Sequence, residues 1–592
     1  MWLTFLLLSV SCCLLPVIVS VVINSVKSTK TGKFNLFNLL FAGVYAASFF
    51  MFIPTHMNAG DVSILEKTQA VLLSLFNAMQ VFAFGCDFGN VADSMLYCPE
   101  QVAIVYQVWV SLIFVIAPIF TFGFVLSLFK NVSAYLRYIG SYYKDVYVFS
   151  EMNDQAFALA SDIKAKNKKA QIIFTNVFEG NEEGLYEQAR SLGVICFQKD
   201  ILAVNFQKHS KNKSIWLFAI GIDETENLNQ ALQLIETYKN RDLTHLYIFS
   251  TKIESELLLT TVDKGKIKVR RVNAVRSLIN RTLYEHGDVI FDSTRKDADG
   301  NKRISAVVVG LGNHGTEMVK ALAWYGQMDG YRLEINAFDK DPLAKEKFAA
   351  QAPELISPDY NGVDVEGEAQ YQISIHSDVD VQTISFAEKI SRINATYVFV
   401  ALGEDDVNIR TAVDLRMYFE RMKLHPVIQA VVYNTQQKTA LEGVKNYRGQ
   451  AYDLAFVGDI ASFYTEDVII DSELEDDALK RHLKWGNEEE FWTYEYNYRS
   501  SMASAIHKKA RVKCAIPGAT KTEEELTEEE RNIIEVLEHR RWNAYMRSEG
   551  YVYSGSKEKS SRNDLAKMHH DLVDFSELSE EDKRKDSKVG TD

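Results

Sequence analysis

Three glycines, Gly310, Gly312 and Gly315, stand in the stretch Arg303–Pro342 with the spacing G-x-G-x-x-G. Glycines so placed suit a nucleotide. The first permits a tight turn, the second lets the backbone approach a pyrophosphate, and the third lets the following helix pack closely on the preceding strand. Asn313 and His314 lie between the second and third glycines and are candidate cofactor contacts. Further on, Asp339 stands where an acid can bind ribose hydroxyls, with Lys340 beside it. No nucleophile, base and orienting residue come together as a set, and no glycine-rich loop is followed by a Walker lysine. Binding is therefore expected, not catalysis.

This chemistry needs elements to position it. Ile304–Val309 reads as a strand covered on both faces, Thr316–Trp324 as a helix whose N-terminal amides would face the phosphates, and Leu333–Phe338 as a second strand ending at Asp339. A Rossmann-like fold that keeps its glycines for packing alone would show the same pattern.

Upstream, strands are expected at Asp145–Ser150, Gln171–Thr175, Val194–Phe197, Ile215–Ile220 and Leu243–Phe249, with a helix at Gln155–Ala165. Alternation at this spacing predicts a parallel, doubly wound sheet. Its first turn, Glu151-Met152-Asn153-Asp154, lacks the glycines, and its second strand ends at Thr175-Asn176 instead of an acid. This unit is not expected to be a standard dinucleotide site. The two blocks are duplicates. Phe218-Ala219-Ile220-Gly221-Ile222-Asp223-Glu224-Thr225-Glu226-Asn227 answers Val400-Ala401-Leu402-Gly403-Glu404-Asp405-Asp406-Val407-Asn408. Two tandem Rossmann-like parallel-sheet units follow, about 142–290 and 300–460, the first degenerate, with Glu404 a further candidate contact in the second.

Two such units behind membrane helices, the second with the glycine motif, an acid after its second strand and an A-L-x-E-D-D-x-N-I segment, resemble the regulator-of-potassium-conductance (RCK, or TrkA-N) family. The resemblance rests on Gly310, Gly312, Gly315, Asp339 and Glu404–Asn408. It implies cytoplasmic units that pair or form rings, bind NAD or another adenine nucleotide, and pass binding on to a pore. No T-V-G-Y-G potassium filter occurs, and the first unit departs from the pattern.

After Trp492 the sequence becomes charged and helical. Thr527 with Glu530 forms a capping box for a helix over Asn532–Ser548 that Gly550 can end. Glu538, His539 and Trp542 in that helix, Gly550-Tyr551-Val552-Tyr553, and His569-His570-Asp571-Leu572-Val573-Asp574-Phe575-Ser576-Glu577-Leu578 are similar to the ryanodine-receptor (RyR) domain of bacterial proteins and calcium-release channels. The resemblance implies a small, mostly helical domain over 490–592, with a ligand pocket near Glu538, His539, Trp542 and Tyr553. Read residue by residue, Trp542 and Tyr545 share a helix side with Ile534 and Leu537 and suit a core, and His539 suits a packing hydrogen bond. No metal site is expected.

The 592 residues, 47% of them hydrophobic, suffice for about three or four folding units. Net charge is −14, and acids crowd Glu523–Glu530, which disfavours nucleic acid. Long apolar runs are confined to residues 1–135. Trp2–Ile23, Phe34–Ile53 and Ala103–Phe129 are expected to span a bilayer. Thr68–Phe84 is apolar but carries Gln69, Ser74, Asn77 and Gln80 near one face, which would prefer protein or water to lipid. Lys27, Lys30 and Lys33 follow the first span, and Lys130, Arg137 and Lys144 the last, so both flanks should be cytoplasmic. Three spans with 68–90 re-entrant satisfy this, ending in the turn Phe84-Gly85-Cys86-Asp87-Phe88-Gly89; four full spans put the three lysines outside. The six cysteines show no metal spacing, and Cys86 could pair with Cys98 if their loop faces an oxidising side.

The expected protein is a multi-pass bacterial inner-membrane homo-oligomer, dimer or tetramer, cytoplasmic from about residue 135. Its expected function is a nucleotide-regulated channel-like protein. The alternatives are an anchored nucleotide sensor without a pore and a membrane-bound NAD-dependent oxidoreductase.

Overall fold

The computed structural model of the chain describes residues 1–26, 36–57, 63–83, 85–96, 98–128, 130–178, 183–296, 300–356, 371–444, 446–447 and 449–591. Lys27, Lys30, Lys33 and Phe84, used above to orient spans and define a turn, lie outside them. The chain forms two compact units, Met1–Arg137 and Tyr138–Asp592.

The first unit is helical: α1 (Trp2–Val26), α2 (Leu36–His56), α3 (Ile64–Phe82), α4 (Phe88–Met95) and α5 (Glu100–Leu128), followed by α6 (Lys130–Ile139). Close packing is set by small residues. A Cβ at Gly43 of α2 would fall 2.6 Å from the Cys12 carbonyl oxygen of α1, so only glycine allows that approach. Polar side chains join the helices. Trp109 Nε1 donates to Ser9 Oγ at 2.7 Å, Ser9 Oγ donates to the Ala47 carbonyl at 2.7 Å, and Asn77 Nδ2 lies 2.8 Å from His56 Nε2. Phe52, Ala78, Tyr106 and Val110 fill the interior. Against three expected spans, among the described residues only Glu100–Thr121 is both long and apolar enough to cross a membrane, with mean hydropathy 2.3. Trp2–Pro16 and Leu40–His56 are shorter apolar stretches. Cys86 and Cys98 are both free thiols, so the pairing entertained from sequence is not formed. Cys98 is instead buried in the apolar cluster and Cys86 packs against it.

The second unit opens with β1 (Val146–Phe149), α7 (Asp154–Lys166), β2 (Gln171–Phe174), α8 (Glu183–Ser191), β3 (Ile195–Cys196), β4 (Ile215–Ala219), α9 (Glu224–Tyr238), β5 (Thr244–Phe249), α10 (Ile253–Thr261), β6 (Lys268–Val272), α11 (Ala274–His286) and α12 (Asp288–Asp292). The six strands are parallel in the order β3-β2-β1-β4-β5-β6, one strand more than the sequence predicts. The pattern then repeats: β7 (Arg295–Lys296), β8 (Lys302–Val309), α13 (Asn313–Tyr325), β9 (Tyr331–Phe338), α14 (Ala344–Gln351), β10 (Tyr371–His376), α15 (Ile384–Ile390), β11 (Tyr397–Val400), α16 (Asp405–Arg421), β12 (Val427–Val431), α17 (Thr435–Glu442), β13 (Asn446–Tyr447), β14 (Gln450–Ala451) and β15 (Leu454–Val457). Its parallel order is β10-β9-β8-β11-β12-β15, with β7 antiparallel on β8. Both sheets therefore reverse strand order beside their first strand, where open α/β sheets form a ligand crevice.

The C-terminal part is helical: α18 (Ile460–Phe463), α19 (Glu466–Ile469), α20 (Glu473–His482), α21 (Glu488–Thr493), α22 (Glu495–Lys513), α23 (Glu528–Ser548) and α24 (Glu580–Gly590). The capping box forms as predicted, with the Glu530 amide donating to Thr527 Oγ1 at 3.2 Å and the Thr527 amide to Glu530 Oε2 at 3.0 Å. Gly550 follows the helix with φ +87°. The same α23 packs against α13, the helix after the glycine turn.

Candidate functional site

Register brings the glycine turn and the acid to one level. Val309 pairs with both Phe338 and Val400, so Gly310, Asp339 and Ala401 emerge together at the strand ends. The three glycines have different neighbours. Gly310 has φ +90°, and a Cβ there would meet the Ala401 carbonyl oxygen at 2.4 Å. A Cβ on Gly315 would lie 1.7 Å from the Gly310 carbonyl oxygen, which is how closely α13 sits on the turn. At Gly312 a Cβ would meet nothing within 4 Å. Packing thus requires the first and third glycines but leaves the second to the space in front of it.

That space is a cleft of about 450 Å³ lined by Gly312, Asn313, Thr316, Glu317, Asp339 and Lys347, among others. Gly312 is the N-cap of α13 and offers no side chain to its first amides, which leaves a helix N-terminus open to an anion. Asp339 is partly committed: Oδ2 accepts from the Leu311 amide at 2.6 Å and Oδ1 from the Asp341 amide at 2.7 Å. It therefore shapes the glycine turn and retains further lone pairs for a ligand hydroxyl. Lys347 is paired with Asp341, and these contacts hold the Asp341 carboxyl below the usual range.

Not every expected contact reaches this cleft. Gly310 and Gly315 form the turn itself. His314 faces the other side, its Nε2 3.1 Å from Tyr433 Oη, and burial lowers its pKa. Lys340 and Glu404 are exposed and are not among the lining residues. The sequence reading missed Thr316, Glu317, Asp341, Lys347 and Gln351, and also Thr251 and Asn273, which the first α/β unit contributes to the same cleft. Only Asn273 left a recognisable signal: it caps α11, accepting from the Arg276 amide at 3.1 Å.

The corresponding turn of the first unit is occupied by its own side chains. Asn153 caps α7, accepting from the Ala156 amide at 2.9 Å, and its Nδ2 donates across the turn to the Ile220 carbonyl at 2.7 Å. Glu151 Oε2 accepts from the Ile222 amide at 3.0 Å, so a carboxylate of this turn engages the loop after the fourth strand. The duplicated asparagines play one role. Asn227 Oδ1 accepts from the Gly221 amide at 2.6 Å and its Nδ2 donates to the Phe249 carbonyl at 3.0 Å; Asn408 does the same with Leu402 at 2.6 Å and Val431 at 2.9 Å.

Buried ion pairs join these parts. Glu317, at the cleft, pairs with Arg276 of α11 at 3.1 Å. Arg276 pairs with Glu549 at 3.2 Å, and Glu549 with Arg499 at 3.0 Å. Arg499 reaches Glu256 at 2.9 Å, Glu256 reaches Arg271 at 3.6 Å, and Arg271 Nε donates to Glu495 at 2.8 Å. Burial would raise the Glu549 pKa, but Arg276 and Arg499 more than offset it and hold it at about 2.

In the C-terminal helices, Glu538 and His539 are buried and engaged. Glu538 bonds Arg541 at 2.6 Å and pairs with Arg511 at 3.3 Å; burial would raise its pKa, and the two guanidinium groups lower it. His539 Nε2 lies 2.9 Å from the Val573 carbonyl, and Nδ1 3.3 Å from Asp586. Trp542 packs on the core edge-on to His569, while the Tyr553 amide donates to Glu354 at 2.9 Å. Glu538 and His539 thus point inward to protein partners. His569, His570 and Asp571 bring potential metal-ligand atoms within 4.8 Å of one another, but the two imidazoles stack at 4.7 Å and 9°. Parallel rings aim their in-plane lone pairs side by side, not at one point. No protein-family model and no curated protein matches this chain.

Proposed function

We propose that this protein is a membrane-embedded nucleotide sensor, in which the second α/β unit binds an adenine nucleotide such as NAD. The observation that carries this reading is the open space at Gly312, where packing does not demand glycine and an uncapped helix start faces a cleft beside Asp339. The ligand's phosphates would lie on the amides after Gly312 and its ribose against Asp339. The RCK resemblance supports the same assignment.

Membrane insertion is supported by the inverted burial of the helical unit. Along α3 the small residues Ala70, Ser74 and Ala78 are buried, whereas Leu72, Phe76 and Met79 are 60%, 59% and 57% exposed. On α5, Ile104, Val108, Val115 and Ile119 also point outward. Apolar surface of this extent suits lipid, and buried small residues suit helices packed within it. The filled interior favours an anchored sensor over a pore within one chain, so a channel would form between copies.

Calorimetry on the purified full-length protein in detergent tests the site: NAD, ATP or ADP should bind, and Gly312→Val should weaken binding by steric exclusion. Unchanged affinity in the variant sinks the assignment. Liposome flux then separates the two membrane readings, since a nucleotide-dependent ion flux requires the channel and its absence, with binding intact, leaves the anchored sensor.

A further inference from the structure

A second cleft, about 610 Å³, lies away from the glycine turn. Its walls are the β5 and β6 strands of the first sheet, one face of α11, parts of α7 and α22, and the crossing segment 462–475. Ligand sites commonly have such a volume, with a few polar groups converging on an apolar wall. Val272, Val468, Ile469 and Met502 supply the wall.

Tyr247 points into this cavity. The residue is 1% exposed, yet its hydroxyl has no hydrogen-bond partner among the described residues. The hydroxyl opens to the cavity and keeps its donor and its acceptor lone pairs for an occupant. The Asn280 side chain, half-buried on the α11 face, likewise has no partner there.

Charge selects the occupant. Most lining cations are already neutralised: Arg270 by Glu475 at 2.6 Å, Lys166 by Asp467 at 2.6 Å, Arg281 by Glu285 at 2.8 Å, and Arg271 by Glu495 outside the cavity. Lys509 lies over the Tyr284 ring at 3.8 Å. Asp471 and Glu473, both exposed, make no ion pair within 4 Å among the described residues, although the Asp471 charge also acts on Arg270. Burial raises the pKa of Glu466 and of Glu475, and the Asp471 carboxylate adds to both, which marks local excess negative charge.

We propose that this cavity is a second binding site, for a small organic cation bearing a protonated amine or guanidine. The cation's charge would rest between Asp471 and Glu473, with Tyr247 Oη and the Asn280 amide taking its polar hydrogens and lone pairs. The paired Arg270 and Arg281 already occupy the carboxylates behind them, so the unpaired acids are left to the ligand.

Titration calorimetry on the full-length protein, with putrescine and agmatine as probes and 1,4-butanediol as the uncharged control, tests this. The amines are expected to bind and the diol to bind at least about tenfold more weakly. Asp471→Asn should weaken putrescine about tenfold and Tyr247→Phe about threefold, while Gly312→Val leaves amine binding unchanged. If Asp471→Asn does not fold, Glu473→Gln at the exposed start of α20 carries the test with about a threefold loss. Binding of neither amine, equal binding of the diol, or amine binding indifferent to both acidic variants overturns the proposal.

Discussion

The two α/β units share a strand order and a buried asparagine after the fourth strand, but differ in what fills the crevice at the first turn. In the first unit Asn153 and Glu151 reach across and satisfy the backbone amides and carbonyl that face it. In the second, Gly312 leaves the same kind of place empty. A fold therefore offers a crevice, and the residues at one turn decide whether the protein keeps it for itself. A ligand phosphate would compete with Glu151 for an amide in the first unit, whereas at Gly312 in the second it would meet helix amides that no side chain caps.

The largest effect should come from the contact that ties the first α/β unit to the C-terminal helices. Glu549→Gln leaves Arg276 and Arg499 without their shared anion, and breaking such a buried pair costs about 3–5 kcal/mol. The sign with pH follows from the depressed pKa of about 2 against an ordinary 4.5. The stabilisation is present above pH 4.5 and is lost as pH falls from there towards 2, a span worth about 3 kcal/mol. Melting curves across that range should show the difference between wild type and variant shrinking as the pH drops. A constant difference would mean that Glu549 is not the charged link.

Next in size is Gly315→Ala. The added Cβ would meet backbone at 1.7 Å, so α13 or the turn must shift, at a cost of about 3 kcal/mol, and nucleotide binding should be lost with it. The first unit carries the buried Ala156 at the matching third position of its helix, so its turn accommodates the Cβ that Gly315 lacks. A Gly315→Ala protein with normal stability and affinity would remove the claimed contrast between the turns.

Much of this contrast was legible in the sequence. The strand runs, the duplication and the glycine spacing are local patterns, and a repeated period fixes a parallel sheet with little help from distant residues. The division of labour among the glycines was legible only as a rule; it took the Ala401 and Gly310 carbonyl positions to show which glycines packing demands. Asp339 was expected to serve ribose, yet its first partners are the Leu311 and Asp341 amides, because a carboxylate bonds whatever donor the fold brings near. Thr251, Asn273 and Glu317 escaped notice since their place in the cleft depends on how one unit meets another. Glu538 and His539 look like pocket residues in a motif, but their guanidinium and carbonyl partners come from other segments.

Asn153→Ala should act on the first unit alone. It removes the cap of α7 and the donor to the Ile220 carbonyl, at a cost of about 1–2 kcal/mol. Nucleotide affinity should stay within about threefold, under about 0.7 kcal/mol. A tenfold loss would show that the first crevice also binds, and the contrast would then be one of degree.

The smallest effect on stability belongs to Gly312→Ala. A methyl there touches no protein atom, and the residue's φ of −65° suits alanine, so unfolding should change by only about 0.5 kcal/mol through the poorer cap. The same methyl projects into the space assigned to a phosphate, and affinity should fall about tenfold, or 1.4 kcal/mol. Stability and binding thus separate at Gly312, whereas at Gly315 they fall together. Denaturant melts and calorimetry on the two variants, made side by side, distinguish a glycine kept for a ligand from one kept for the fold. If Gly312→Ala loses stability but not affinity, the open space in the second unit serves folding, and its difference from the first unit has no bearing on binding.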